Sequence, residues 1–322
     1  MNKIETTVEG LEHLLECNLD TLLYSDKYST VLSRHNNLIG FDVLNRLIIA
    51  CQNPKAVILK TAEEWEVEGR AIAKNAKPVY IFNPQYRIEY YDTMNGERLD
   101  KTDLTAEEKV IAIRLGMVAK DSILEDMSIV PVYELYDTIS ISGEAYKVNK
   151  PFLSIKEITF LFKNITLAKV LETSNKMTYN PDTNVLYINP SVSYQNFVDS
   201  ISLILAQWLI KNKLIKDDDY SYDFSTKSFE EKEYDVLKDS LTFAINSLFG
   251  GTLRLDTQKN SSIHKANLIS ILYIVDVLML EIIYRTQFNE ESFNEDAVHN
   301  VYRLKKTNLI LNAMYVAYLQ NI

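Results

Sequence analysis

The residues best suited to chemistry in the first third of the chain lie between Glu63 and Pro84, EEWEVEGRAIAKNAKPVYIFNP. Trp65, Arg70, Lys74 and Lys77 place one large aromatic ahead of three cations. An exposed indole stacks on nucleobases, while guanidinium and ammonium groups track phosphates, so this set suits a single nucleic-acid strand. A structural reading competes: Trp65 fills a helix–sheet core, and Gly69 supplies a left-handed helix end.

Other chemistries find little support. Cys17 and Cys51 are the only cysteines, too few for a disulfide framework or a cysteine zinc site. His13, His35, His264 and His299 show no ligand spacing and read as surface or structural histidines. Asp217, Asp218 and Asp219 lack the glycine and distal glutamate of a calcium loop and read as a solvated acidic turn. Neither a glycine-rich phosphate loop nor a G-x-S-x-G elbow occurs. No cofactor and no catalytic residue is expected.

The elements that must position the candidate residues follow from periodicity. Val8, Leu11, Leu14, Leu15, Leu19, Leu22 and Leu23 fall on one face of a helix over 6–24. Further helices are expected over about 25–34 and 41–51, and Thr61 can cap a short one through Trp65. VILK at 57–60, KPVYIFNP, RIEYYDT and VPVYELYDT read as strands. An insert over 94–127 holds Thr105-Ala-Glu-Glu108, a capping box that opens a helix to about Lys120. Beyond residue 150 the pattern is mostly helical, with short strands around a turn in TYNPDTNVLYINP at 178–190 and helices over 194–211 and 233–250.

The chain has 322 residues and a formal net charge of −10, with 17 Lys+Arg against 24 Asp+Glu in residues 1–150. Neither half is basic, so a nucleic-acid site has to be a local patch. The most apolar run, 268–284, is interrupted by Asp276 and Glu281 and reads as a buried helix rather than a membrane span. The N-terminus lacks a signal-peptide pattern, and a reducing cytoplasm is the expected compartment. The reading is α+β: residues 1–150 as N-terminal helices packed on a small antiparallel sheet, and residues 151–322 as a mainly helical domain.

With the elements in place, the order LSRHNN…FDVLNRLIIACQNPKAVILKTAEEWEVEGRAIAKNAKPVYIFNP resembles the N-terminal domain of ArdC-type antirestriction proteins of conjugative plasmids. Ser33, Asn45, Gln52, Pro54, Ala56, Trp65, Gly69, Arg70, Lys74 and Pro84 occupy the family positions in order, over about residues 20–140. The family's glycine in the lysine-rich turn is missing from Lys74-Asn-Ala-Lys77. The resemblance implies single-stranded DNA as partner, held weakly by Ser33, Asn45, Gln52, Trp65, Arg70, Lys74 and Lys77. It also implies a zincin-like second domain. There the helix that carries H-E-x-x-H in the family reads YQNFVDSISLILAQWLIK, without histidine or glutamate, and only Asp235 and Asp239 stand near the place of a further ligand. The expected role is therefore that of a single-stranded DNA-binding accessory or antirestriction protein of a mobile element, without a metal site or catalysis. The alternative is a docking module for a host or element-encoded protein, without DNA binding.

Overall fold

The computed structural model describes residues 6–34, 38, 41–94, 96–99, 105, 108, 112, 117–143, 146, 153–213 and 230–287. The mixed α+β architecture expected from the sequence is present. Thr7 caps α1 (Val8–Leu23), and Leu11, Leu15, Leu19, Leu22 and Leu23 form its buried stripe. Then come α2 (Lys27–Ser33) and α3 (Val43–Gln52), whose first turn is capped by the Asp42 carboxylate accepting from the Asn45 N–H. β1 (Leu59–Lys60) leads into α4 (Ala62–Val67), where Thr61 and Glu64 complete a reciprocal capping box. Gly69 ends the helix at φ +70°, the left-handed region in which a side chain is strained.

The chain continues through β2 (Arg70–Ile72), β3 (Val79–Asp92), β4 (Arg98–Leu99), β5 (Val118–Glu134), a 3-10 turn (Leu135–Asp137) and β6 (Thr138–Ser140). β1, β5, β3 and β4 form one antiparallel sheet, and β2 pairs with β6 in a separate antiparallel ribbon.

Two sequence expectations change here. KPVYIFNP and RIEYYDT are one continuous strand, not two, with an irregularity at Gln85/Tyr86. Pro84 does not break it. Tyr80 and Phe82 turn their N–H and C=O groups away from β5, and Pro84 has the same parity, so its missing donor falls on the outer edge. The helix expected to run to Lys120 stops short, because β5 begins at Val118. Its capping box is real, Glu108 N–H donating to Thr105 Oγ1 and Thr105 N–H to Glu108 Oε2. Pairing with the long β3 extends β-structure into the region that local propensity assigns to a helix.

The second half holds α5 (Ile155–Thr166), β7 (Lys169–Glu172), β8 (Thr178–Asn180), β9 (Val185–Ile188), α6 (Tyr194–Lys213), α7 (Glu231–Leu248) and α8 (Lys265–Gln287). β7 is parallel to β9, and β8 is antiparallel to it on the other side. Among the described residues, no helix is long and apolar enough to cross a membrane.

One apolar core draws on both halves: Leu11, Leu15 and Leu19 of α1, Leu47 and Ile48 of α3, Ile201 and Leu205 of α6, Leu241 of α7 and Leu272 of α8. Polar contacts cross the same junction. Tyr28 Oη meets Ser240 Oγ at 3.0 Å, and Asn260 Nδ2 donates to the Leu23 carbonyl at 2.8 Å. The expected units 1–150 and 151–322 are therefore bridged by shared packing, while the proposed junction at 148–151 lies outside the described residues. A smaller cluster of Leu38, Ile49, Ala56, Leu59, Val79, Ile81 and Val132 seals α3 against the sheet.

Candidate interaction site

The sequence set is only partly brought together, and most of it serves the fold. Trp65 is 0% exposed. Its Nε1–H donates to the Tyr133 carbonyl of β5 at 2.8 Å, and its ring meets Tyr146 edge-on at 5.6 Å. Lys60 Nζ lies 5.2 Å from the indole centroid and pairs with Glu68. The expectation of a stacking face at Trp65 is corrected: a buried ring offers no surface to a base.

Asn45 and Gln52 stand two turns apart on one face of α3 and act as a matched pair. Asn45 Nδ2 donates to the Phe82 carbonyl at 2.9 Å and Oδ1 accepts from the Phe82 N–H at 2.8 Å. Gln52 repeats the pattern on Tyr80, at 2.6 Å and 3.0 Å. The two amides thus satisfy the outer edge of β3 as a neighbouring strand would. Neither retains a free amide for a sugar or phosphate oxygen, which corrects their assignment to nucleic acid.

Arg70 is half-buried. Its Nε donates to Thr138 Oγ1 at 2.6 Å and its Nη2 to the Thr138 carbonyl at 3.2 Å, with the guanidinium 5.7 Å from the Tyr146 ring. The Thr138 hydroxyl in turn donates to the Leu135 carbonyl at 2.7 Å. Arg70 therefore staples β2 to β6 rather than reaching for phosphate. Ser33 closes its own helix, donating to the Thr30 carbonyl at 3.1 Å. Lys74 and Lys77 alone remain as exposed cations of the set.

Sequence reasoning missed what lies on the outside of this unit. The β2–β6 ladder pairs Ala71 with Ile139, and the Ile141 N–H donates to the Gly69 carbonyl, so Ile139 and Ile141 share one face with Gly69 and Ala71. The other face carries Arg70 and Thr138. On the outer face Ile139 is 60% and Ile141 68% exposed; Val67, just before Gly69, is 88% exposed and Tyr136, just before β6, 84%. Glu134 orients this turn, one carboxylate oxygen accepting from the Tyr136 N–H at 2.6 Å and the other from the Val57 N–H at 3.3 Å. Two large apolar side chains on one exposed ribbon face, with Val67 and Tyr136 exposed close by in sequence, mark an interaction surface. The signal in the sequence was the i, i+2 spacing of Ile139 and Ile141, too short to announce an unpartnered face.

No family model matches the sequence, and no curated protein matches it. Among solved structures the chain is similar to the antirestriction protein ArdC of plasmid R388. The metal-free ArdC structure shares 13% identity, covers 83% of this chain and 84% of its own, and gives a TM-score of 0.37. The Mn(II)-bound ArdC structure shares 10% identity, covers 79% of this chain and 98% of its own, and gives 0.35.

The polar side chains on α6 and α7 are engaged within the fold. On α6, Phe197, Val198, Ile201, Leu205 and Leu209 are buried in the core, and Ser202 Oγ bonds back to the Val198 carbonyl. Its one carboxylate, Asp199, accepts from Gln195 Nε2 at 2.7 Å and from Asn246 Nδ2 of α7 at 2.8 Å. On α7, Lys238 holds Asp235 below the usual carboxylate range, first by hydrogen bond, and Asp239 pairs with Lys259. Among the described residues no three His, Cys, Asp or Glu side chains gather as a metal site.

The two cysteines sit in different settings, Cys17 exposed and Cys51 half-buried. Burial pushes the Cys51 thiol up to about 12, so it carries no thiolate at neutral pH. Cys17 lies 3.6 Å from His13 Nε2, one turn away on the exposed side of α1, a pairing legible from the i, i+4 spacing. His35, His299 and the Asp217–Asp219 turn lie outside the described residues.

Proposed function

We propose that this protein is a catalytically silent, ArdC-like antirestriction accessory protein that acts by docking a protein rather than by holding a DNA strand. The antirestriction setting rests on the resemblance of residues 20–140 to that family. The observation that carries the docking reading is an inversion of burial. Trp65, Asn45, Gln52 and Arg70 are spent inside the fold, while Val67, Tyr136, Ile139 and Ile141 stand outside it. An exposed apolar strip on a chain of net charge −10 attracts protein better than polyanion.

The test is plating of unmodified phage on a restriction-proficient host expressing the protein. Wild type raises the plating efficiency, and the Ile139→Glu, Ile141→Glu double variant loses that rise while remaining folded. Full protection by the double variant overturns the docking reading, and absence of protection by wild type overturns the antirestriction setting. Catalytic silence is checked by metal analysis of protein purified with zinc and manganese present; one tightly held ion per chain contradicts it.

A second reading keeps single-stranded DNA as a weak ligand of Lys74 and Lys77, both exposed and outside any ion pair among the described residues. Two phosphate contacts give a shallow log–log salt slope of about −1.4. Anisotropy of labelled single strands at low salt, lost in the Lys74→Ala, Lys77→Ala variant, would establish it.

A further inference from the structure

We infer that the apolar strip of the β2–β6 ribbon is covered, in the free protein, by the same strip of a second copy of this chain in a face-to-face, two-fold pair. The inference rests on the docking reading of the strip and names its resident occupant.

A two-fold contact requires a patch that complements itself on rotation. The ladder runs from Gly69/Ile141 at one end, through the Ala71–Ile139 pair, to Ala73/Asp137, where the Ala73 N–H donates to the Asp137 carbonyl. At the first end α4 carries Glu63 and Glu66, both exposed. At the second end Lys74 and Lys77 follow β2, both exposed. The strip is thus apolar in the middle, with two exposed glutamates beyond one end and two exposed lysines beyond the other, where Asp137 also lies. A two-fold axis lying in the contact plane, across the strands at Ala71–Ile139, lays each glutamate end over the lysine end of the other copy. A parallel stacking would set like charges together.

The same rotation places the two Ile139 side chains next to each other near the axis. It carries Ile141 of each copy to the Asp137 end of the second copy's ribbon, so the exposed isoleucines of the strip lie within the contact. Any unrelated partner would need an apolar segment with this charge order reversed; the chain's own strip satisfies that by symmetry. The contact is small, so the pair is weak and concentration-dependent. A docking partner displaces the second copy by mass action, and self-association thereby holds the strip in reserve.

Sedimentation velocity over a concentration series, with thermal melts to confirm folding, tests the pair. Wild type shifts from monomer towards dimer as concentration rises, and Ile139→Glu removes the shift. The Lys74→Glu, Lys77→Glu variant and the Glu63→Lys, Glu66→Lys variant each associate less than wild type. Mixed together, they recover association, because each then presents the charges the other lacks. A wild type that stays monomeric throughout, an Ile139→Glu protein that still dimerises, or a mixture no stronger than its components overturns the inference. The outcomes separate from the plating test. Monomeric wild type with plating still sensitive to Ile139→Glu, Ile141→Glu defeats only the pair; a dimer broken by Ile139→Glu without effect of the strip variants on plating defeats only the docking function.

Discussion

Arg46 of α3 and Asp276 of α8 form a buried ion pair, side chain to side chain, across 230 residues of sequence. Both are almost fully excluded from solvent, and Asp42 lies close enough for its charge to be felt by the pair. The contact ties the first half of the chain to the helix that the sequence marks as most apolar. It also accounts for a carboxylate in the middle of that run.

Removing one partner leaves an uncompensated charge in the core. Arg46→Met or Asp276→Asn alone is expected to cost about 3–5 kcal/mol in urea unfolding. The double change Arg46→Met, Asp276→Leu is expected to recover most of that loss, since an apolar pair of similar volume needs no desolvation of ions. A double variant as unstable as the singles would show that the pair is held by more than charge compensation.

The pH dependence follows from Asp42. Burial raises its pKa above the ordinary 3.8, against the lowering effect of the Asn45 backbone N–H and the Arg46 charge. The folded state then binds a proton at a pH where the unfolded chain does not, so the stability penalty of the buried carboxylate is relieved as pH falls. Asp42→Asn can still cap α3 but cannot titrate. Wild type should therefore gain stability relative to Asp42→Asn as pH is lowered from neutrality towards about 4. Denaturant melts of both proteins across that range check the sign.

Trp65→Ala is expected to cost about 3–5 kcal/mol, the range for deleting a buried large aromatic. Trp65→Phe keeps much of the packing but removes the indole hydrogen bond to the Tyr133 carbonyl, at roughly 0.5–1.5 kcal/mol. Near-wild-type stability of the alanine variant would return Trp65 to the surface and reopen the stacking role.

The amide clamp has its own signature. Asn45→Ala leaves the buried Phe82 N–H and C=O without partners, costing roughly 1–3 kcal/mol. Gln52→Ala should cost less, because the half-buried Tyr80 edge can turn to water. In hydrogen exchange the Phe82 amide should lose protection in the first variant and the Tyr80 amide in the second, each with the other amide largely unaffected.

Much of this fold was legible in the sequence. The leucine spacing of α1, the Thr61–Glu64 capping box, the turn between β8 and β9 and the apolar stripe of α6 are local patterns, written within a few residues of where they act. The candidate site residues were legible as well, but their use was not. The spacing Trp65…Gly69-Arg70 places an indole and a guanidinium close in sequence without saying which way they point.

What the sequence alone determined is thus several helices and parts of the strands, the α+β class and the acidic, cysteine-poor character of the chain, because periodicity, capping and composition are properties of neighbouring residues. The tertiary structure decided the rest: that β3 runs through Pro84, that Asn45 and Gln52 close its edge, that Trp65 and Arg70 face inward and that Ile139 and Ile141 face outward. Those outcomes depend on pairings across tens to hundreds of residues, such as Trp65 with Tyr133 and Arg46 with Asp276. Burial is decided by what packs on a face from elsewhere in the chain, and no local pattern encodes a neighbour that arrives from a distance.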